Sequence, residues 1–434
     1  MPASTPSPSR RAVIVGGVRT PFVRAFTDLL KLDAIDLSVA AARALLEQLE
    51  LPHKHLDAVV WGGVILPSGA PNVGREVVLD LGLPPTVEAM TCTRACASGL
   101  QAITLAAAAI ERGEADVVLA GGADSTSNAE VKVGQRLVHA MAPMALGKRM
   151  AFSDYLQVAS QLLPISEILP RKPEIAERST GELMGEAAER MAERNGISRA
   201  DQDAFSVASH HKAAQALAAG VLEAEIAPVQ VGDRRVDADT LVRPDTSIEK
   251  LAKLRPVFKK DGGTLTAGNS SPLTDGAGAV LLMSEEAAKA LGYTPLAAFR
   301  SWAYVGVDPA DQLLIGPAMA MPLALKRAGM ALSDIDLLEI HEAFAAQVLS
   351  VTQALGSKAF AQAHLGQDAA VGAIDPDRLN RWGGSLALGH PFAATGARMV
   401  TTAARGLVRE DAETAILGIC AAGGLGAAAV LERV

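Results

Sequence analysis

Three cysteines and two of the eight histidines stand where side chains can do chemistry. In CTRACASG, residues 92–99, Cys96 precedes a small-residue turn and the start of an apolar helix. A thiol attacks only as thiolate, and its pKa of about 8.5 falls at a helix N-terminus or beside an imidazole, so this placement favours a nucleophile. Free cysteine is also among the most buried residue types, and on this stretch alone a small core residue is an equally good reading. CysXXXCys with Cys92 lacks the histidine or second pair of a metal site and the two-residue spacing of a redox pair, so no metal is expected. His390 lies in GGSLALGHPFAATG and His341 in EIHEAF, the first flanked by glycine and the second at a strand end. His53, His55, His139, His210, His211 and His364 read as structural. Cys420, in GICAAGG, occupies a glycine-rich strand end from which a side chain and backbone N–H groups can face one cleft.

The elements that position these groups are written twice. AVIVGGVRTPF reads as a strand, residues 37–48 as a helix, and HLDAVVWGGVI as a strand closing on glycine. Later MPLALKRAGM reads as a helix and SDIDLLEIHEAF as a strand ending in polar residues. EAMTCTRACASGLQAI is followed by ADVVLAGGADS, just as NRWGGSLALGHPFAATGARMV is followed by ETAILGICAAGGLGAAAVLE. An internally duplicated α/β unit is the economical reading. His390 then holds in the second half the place of Cys96 in the first, and a pseudo-twofold brings the two loops together. Such sheets gather ligands at strand ends and helix N-termini, where backbone N–H groups point outward.

Between the halves the texture turns helical, over about 125–253. Ser179 to Glu182 (STGE) reads as a capping box for a helix ending at Gly196, and Ser198 as the start of another running to Gly220. The stretch MAFSDYLQVASQLLPISEILP is apolar and weakly charged; packing on its own domain is the plainer reading, contact with a membrane surface or partner the sharper one. The 434 residues allow two to three domains of about 150. With 49% hydrophobic and 20% charged residues, and no apolar run near the roughly 18 of a membrane span, a soluble globular protein is expected. A net charge of -8 argues against nucleic acid as partner. Few cysteines and a polar, proline-rich start without the features of a secretory signal make the cytoplasm the simplest location.

Five motifs in order resemble the thiolase family over essentially the whole chain: CASGLQA, TAGNSSPLTDGAGAV, HEAFAAQ, GGSLALGHPFAATGAR and CAAGGLGAAAVLE. HEAF in place of NEAF, with GHPFAATG, SDYLQ and RSTGELMG, makes the chain most similar to the fatty-acid-oxidation branch, which includes β-subunits of trifunctional complexes and bacterial anaerobic counterparts. The resemblance implies a layered αβαβα fold, with an N-terminal half at 1–290 that carries the insertion and a C-terminal half at 291–434. It also implies 3-ketoacyl-CoA thiolase activity, an acyltransferase that uses coenzyme A as substrate and needs no other cofactor.

By that resemblance Cys96 is the acylated nucleophile, His390 its base, and Cys420 the acid/base for the α-carbon or the incoming CoA thiol. His341 helps hold an oxyanion together with His390, and the backbone N–H groups of Cys96 and Ala422 form a second oxyanion hole. Ala422 stands where many thiolases have glycine, a change that keeps the backbone donor. Glu342 orients a neighbour. Met184, Ala267, Ser271 and Phe344 match positions that contact pantetheine or acyl chain, while Leu183 replaces a histidine found in some thiolases. Lys148, Arg149 and Arg255 are candidates for the CoA phosphates, although a solvated basic face explains each as well. Arg94 has no assigned chemistry, and Cys92 reads as core. A homodimer or larger assembly is implied, with a hydratase/dehydrogenase α-subunit as a further partner if the β-subunit likeness extends that far. The competing readings are a short-chain acetoacetyl-CoA thiolase working in synthesis, a ketosynthase of the wider superfamily, and a non-catalytic lipid-binding relative.

Overall fold

Apolar runs long enough for one strand, broken by glycine and followed by helical periods, build a single large sheet with helices on both faces. The computed structural model describes residues 10–147, 149–164, 169 and 175–434. They form two compact units, one of 10–128 with 176–434 and a smaller one within 129–175. The first half of the large unit contributes β1 (Ala12–Arg19), the short β2 (Val23–Arg24), β3 (Ala58–Gly62), β4 (Glu88–Cys92) and β5 (Val117–Ser125). A two-stranded ribbon of β6 (Val229–Val231) and β7 (Arg234–Val236) follows, then β8 (Thr274–Ser284). The second half adds β9 (Ala297–Gly306), β10 (Leu337–Ile340), β11 (Thr414–Ala421) and β12 (Leu425–Arg433).

The strand order β10-β11-β12-β9-β1-β8-β5-β3-β4 carries the duplication. In one half β8 lies antiparallel between β1 and β5, and β5, β3 and β4 run parallel. In the other β12 lies antiparallel between β9 and β11, β11 is parallel to β10, and a parallel bridge of Leu338 to Leu379 stands where β4 stands in the first half. The halves join through β1 and β9.

Side chains that alternate along the central strands feed different cores. In β8, Val280 and Leu282 enter an inner core with the helices Ser98–Glu111 and Ala393–Arg409, while Leu281 and Met283 enter an outer core with the helix Ala34–Gln48. In β12, Ala427 and Ala429 face the inner core, and Ala428 and Val430 face a third core with the helix Pro317–Ala328. Helix, half-sheet, inner helix pair, half-sheet and helix make the five expected layers. The inner helices meet backbone to backbone. A β-carbon on Gly99 would collide with the carbonyl oxygen of Ala393, and one on Gly396 with the amide of Leu100, so only glycine permits this approach.

The helix expected to start with Ser179–Glu182 begins later, at Met184, and the capping box is a misreading. Ser179 donates to Glu177 instead, Glu182 pairs with Arg190, and Glu186 accepts from the N–H of Leu183. This helix ends at left-handed Gly196 as read, and Ser198 caps the next, Arg199–Ala218, by accepting from Asp201. Both helices lie within the large unit; Ala187, Ala188 and Met191 are buried in the third core. The smaller unit holds the helices Gln135–Ala145 and Phe152–Gln161 and exposes Leu146, Phe152 and Leu156. Residues 165–168 and 170, part of the apolar stretch read above, lie outside the described residues, as do Lys148 and 1–9. No described helix is long and apolar enough to cross a membrane.

Candidate active site

Cys96 sits between the end of β4 and the helix Ser98–Glu111, on a turn with Ala95 in the left-handed region at φ 45°. The Ser98 hydroxyl holds that turn, accepting from the Arg94 N–H at 2.7 Å and donating to the Ala95 carbonyl at 2.6 Å. The backbone N–H groups of Ala422 and of Cys96 itself lie near enough to the thiol to favour its thiolate. Cys420, at the end of β11, is close enough that each thiolate would repel the other.

Each histidine is delivered by the second half. His341 follows the last residue of β10, its N–H donating to the Gly418 carbonyl of β11 at 2.8 Å. His390 precedes the helix Ala393–Arg409, its N–H donating to the Thr274 hydroxyl at 3.1 Å. Contact between Gly99 and Ala393 fixes the distance between the Cys96 and His390 loops, each site residue standing three positions ahead of its contact residue. The two imidazoles lie 4.1 Å apart, centroid to centroid. Nδ1 of His390 is 2.6 Å from the Thr395 hydroxyl, and Nδ1 of His341 is 3.0 Å from the Ser385 hydroxyl. Both Nε2 atoms are buried and find no protein partner among the described residues. Because a buried N–H or lone pair without a partner costs about 1–3 kcal/mol, a pair of them marks a place for a reacting oxygen.

Behind the histidines lies a buried polar layer. Arg398 donates to Glu339 at 3.1 Å and reaches the Ser385 hydroxyl at 3.5 Å. With Arg398 on the Ser385 oxygen, the hydroxyl proton is free to face Nδ1 of His341, which favours the tautomer carrying its proton on Nε2. Glu342 accepts from Ser209 at 2.7 Å, Asn380 at 2.6 Å and the Leu386 N–H at 3.1 Å, and so clamps the 380–386 loop to the end of β10, an orienting role. On the other side Asp124, the penultimate residue of β5, accepts from Val64, Ile65 and Ala393, tying the His390 loop to the first half.

Burial sets the electrostatics. Cys96 is half-buried, and desolvation in the cleft pushes its thiol up to about 12, against the two N–H groups that favour its thiolate, with the charge of Asp124 pushing the same way. Helix position alone predicts the opposite direction; loss of water outweighs it. Desolvation, then repulsion by Arg398, lowers His390 to about 3, and His341 falls well below the usual histidine range through burial, His390 and Arg398. Cys420 is raised well above the usual thiol range by burial and by Cys96. The resting site therefore holds neutral thiols and neutral imidazoles. Burial also raises Asp124 to about 7, overcoming its three N–H donors.

Of the other site residues read from sequence, Ser271 and Phe344 are brought together: the Ser271 N–H donates to Ala343 at 2.9 Å, and Ser270 and Phe344 form a bridge. Phe344 packs edge-on to Phe258 at 6.1 Å, and Met184 joins their cluster. Ala267 and Arg255 are exposed, Arg149 belongs to the smaller unit, and Cys92 packs partly buried against the inner core. The sequence reading singled out none of Asp124, Asn380, Glu339, Arg398 or Ser385. The available signal was a polar side chain within an otherwise apolar or glycine-rich run, as in AGGADS or DLLEI.

Residues 12–286 match the thiolase N-terminal domain and residues 293–433 the thiolase C-terminal domain. A curated 3-ketoacyl-CoA thiolase of Shewanella amazonensis is 45% identical over 424 residues, 97% of either chain. A crystal structure of human mitochondrial 3-ketoacyl-CoA thiolase is similar with a TM-score of 0.83 and 34% identity, covering 99% of this chain and 100% of that one. A second human structure, in complex with CoA, has a TM-score of 0.82 at 34% identity and covers 98% of each chain.

Proposed function

The chain belongs to the thiolase family, and we propose that it is a degradative 3-ketoacyl-CoA thiolase of fatty-acid β-oxidation, converting 3-ketoacyl-CoA and CoA to acetyl-CoA and a shortened acyl-CoA. The observation that carries this reading is the pair of adjacent buried imidazoles whose Nε2 atoms have no protein partner among the described residues, set with a thiol that two backbone N–H groups face.

As the Cys96 Sγ bonds to the keto carbon, its proton passes to Nε2 of His390, whose Nδ1–H is held by Thr395. The carbonyl electron pair moves to oxygen, which the N–H groups of Cys96 and Ala422 receive in place of the sulfur. That pair then returns, and the bond between the α-carbon and the keto carbon breaks. Its electrons leave as the enolate of acetyl-CoA, held by Nε2–H of His341 and of the now protonated His390. Cys420, kept protonated by its burial, gives its proton to the enolate carbon and completes acetyl-CoA. The Cys420 thiolate next takes the proton of an incoming CoA, whose sulfur attacks the Cys96 thioester through the same N–H pair. Cys96 departs and recovers its proton from His390, which leaves the enzyme as it began.

CoA is a substrate here, and no other cofactor enters the cycle. We further propose a cytoplasmic homodimer at least: β4 is the last strand of the sheet among the described residues, and such an edge is a template for pairing with a second copy. Cys96→Ala tests the reading. It should leave the fold and thermal transition unchanged while abolishing the acyl-enzyme seen by mass spectrometry with a 3-ketoacyl-CoA series; turnover or stable acylation elsewhere in that variant would overturn it.

A further inference from the structure

The turn that carries the Ala422 donor is built from two glycines in the left-handed region, Gly423 at φ 86° and Gly424 at φ 65°. It is the three-residue connection between β11 and β12, closed by the pairing of Ala421 with Leu425. Glycine has more backbone freedom than any other residue, so such a turn holds one peptide orientation only when something outside it does the holding. Two contacts do so. The Gly424 carbonyl accepts from the Val307 N–H at 2.6 Å, and the Gly423 N–H donates to Glu177 Oε2 at 2.9 Å.

Glu177 is prepared for that single contact. Its other oxygen accepts from the N–H of Ser179 at 3.1 Å and the hydroxyl of Ser179 at 2.7 Å. Its own backbone is closed into a loop, N–H to the Glu182 carbonyl and carbonyl to the Gly181 N–H, each at 2.8 Å. The residue is only 9% exposed, and its hydrogen bonds to Ser179 hold its carboxyl below the usual carboxylate range. The loop leads directly into Met184 and is braced by Arg190, which donates to Glu182, Pro309 and Ala310.

We propose that Glu177 is a positioning residue for acyl transfer: by gripping Gly423 it aims the neighbouring Ala422 N–H at the Cys96 sulfur and at the tetrahedral oxyanion that forms there. The proposal rests on the oxyanion role given to Ala422 above. A negative charge beside an oxyanion site is no help to the oxyanion itself, so the service of Glu177 is geometric. Glutamine keeps one acceptor oxygen for Gly423 but sets its amide NH2 against the Ser179 N–H, so it should supply the contact only in part, whereas a truncated side chain should not supply it at all.

The test compares Glu177→Ala, Glu177→Gln and Cys96→Ala as full-length enzymes, by single-turnover acylation of Cys96 and by deuterium exchange at the α-carbon of bound acetyl-CoA. Acylation passes through the Ala422 site, while exchange calls on Cys420 and the two imidazoles. Glu177→Ala should slow acylation by about tenfold or more, short of the roughly 10²–10³ lost when a donor is deleted outright, and leave exchange near wild type. Glu177→Gln should fall between Glu177→Ala and the native enzyme. Unchanged acylation in Glu177→Ala overturns the proposal, and so does a parallel fall of acylation and exchange. Acyl-enzyme persisting in Cys96→Ala would instead overturn the reading of the site on which the proposal rests.

Discussion

Replacing His341 separates three roles that a buried histidine can play. Among the described residues its Nε2 lies without a protein partner beside His390, whose ring is 4.1 Å away, so the side chain is placed to donate to an enolate oxygen or to a water bridging to it. His341→Ala deletes one donor of the pair, worth about 2.7–4 kcal/mol of transition-state stabilisation, or roughly 10²–10³ in rate. It also strips the Ser385 hydroxyl of a buried partner, a stability cost of about 1–3 kcal/mol. Asparagine also offers an N–H donor, so His341→Asn should retain much of the turnover. Since burial and the neighbouring His390 and Arg398 hold His341 well below the usual histidine range, it stays neutral near pH 7 and its removal should not shift the pH profile there. The assay is turnover of a 3-ketoacyl-CoA with thermal unfolding and Cys96 acylation measured on both variants. Equal loss of turnover in the two, with normal folding, would refute the donor role and make His341 an obligatory proton carrier; two variants unstable but otherwise active would make it a core residue.

Cys420→Ser should still acylate Cys96 but stall at full turnover, because a hydroxyl is a poor acid/base near neutrality; equal losses in both measurements would contradict the division of roles. Asp124, raised to about 7 against about 3.9 unfolded, binds its proton more tightly in the folded chain, so its stabilising contribution is complete below about pH 4 and fades as pH rises to about 7. The melting temperature of the native protein relative to Asp124→Asn should accordingly fall across that window, and a constant difference would refute the shift. Arg398→Met leaves Glu339, 2% exposed and already raised to about 7 by burial, without its cation, so the carboxyl takes up a proton near neutrality and the cost in denaturant unfolding should fall below the about 3–5 kcal/mol of an unpaired buried charge. It should also raise the pKa of His390, read as an acid limb of the rate profile moved to higher pH, because Arg398 is the charge that helps hold His390 down.

What the sequence determined by itself is local and repetitive. Two similar successions of strand, glycine turn and helix specify the duplicated sheet, because each apolar run must bury both faces and each glycine turn must admit a close backbone. The equivalent placing of Cys96 and His390 in the two halves follows from that repeat. Ser179 shows where local reading fails: a serine three residues ahead of a glutamate resembles a helix cap, yet both side chains are drawn away, to Glu177 and Arg190, by partners the pattern does not reveal. Only the tertiary structure decided the charge states and the bracing. The Cys96 thiol is pushed up although it precedes a helix, because desolvation depends on every chain segment that excludes water from it. Asp124 and Glu177 act on the site through partners about 250 to 270 residues away, Ala393 and Gly423, while Arg398 reaches Glu339 and Ser385 within the second half. The contacts of Asp124 and Glu177 exist only once the two halves have closed on each other, since a hydrogen bond between distant segments is set by packing and not by spacing along the chain.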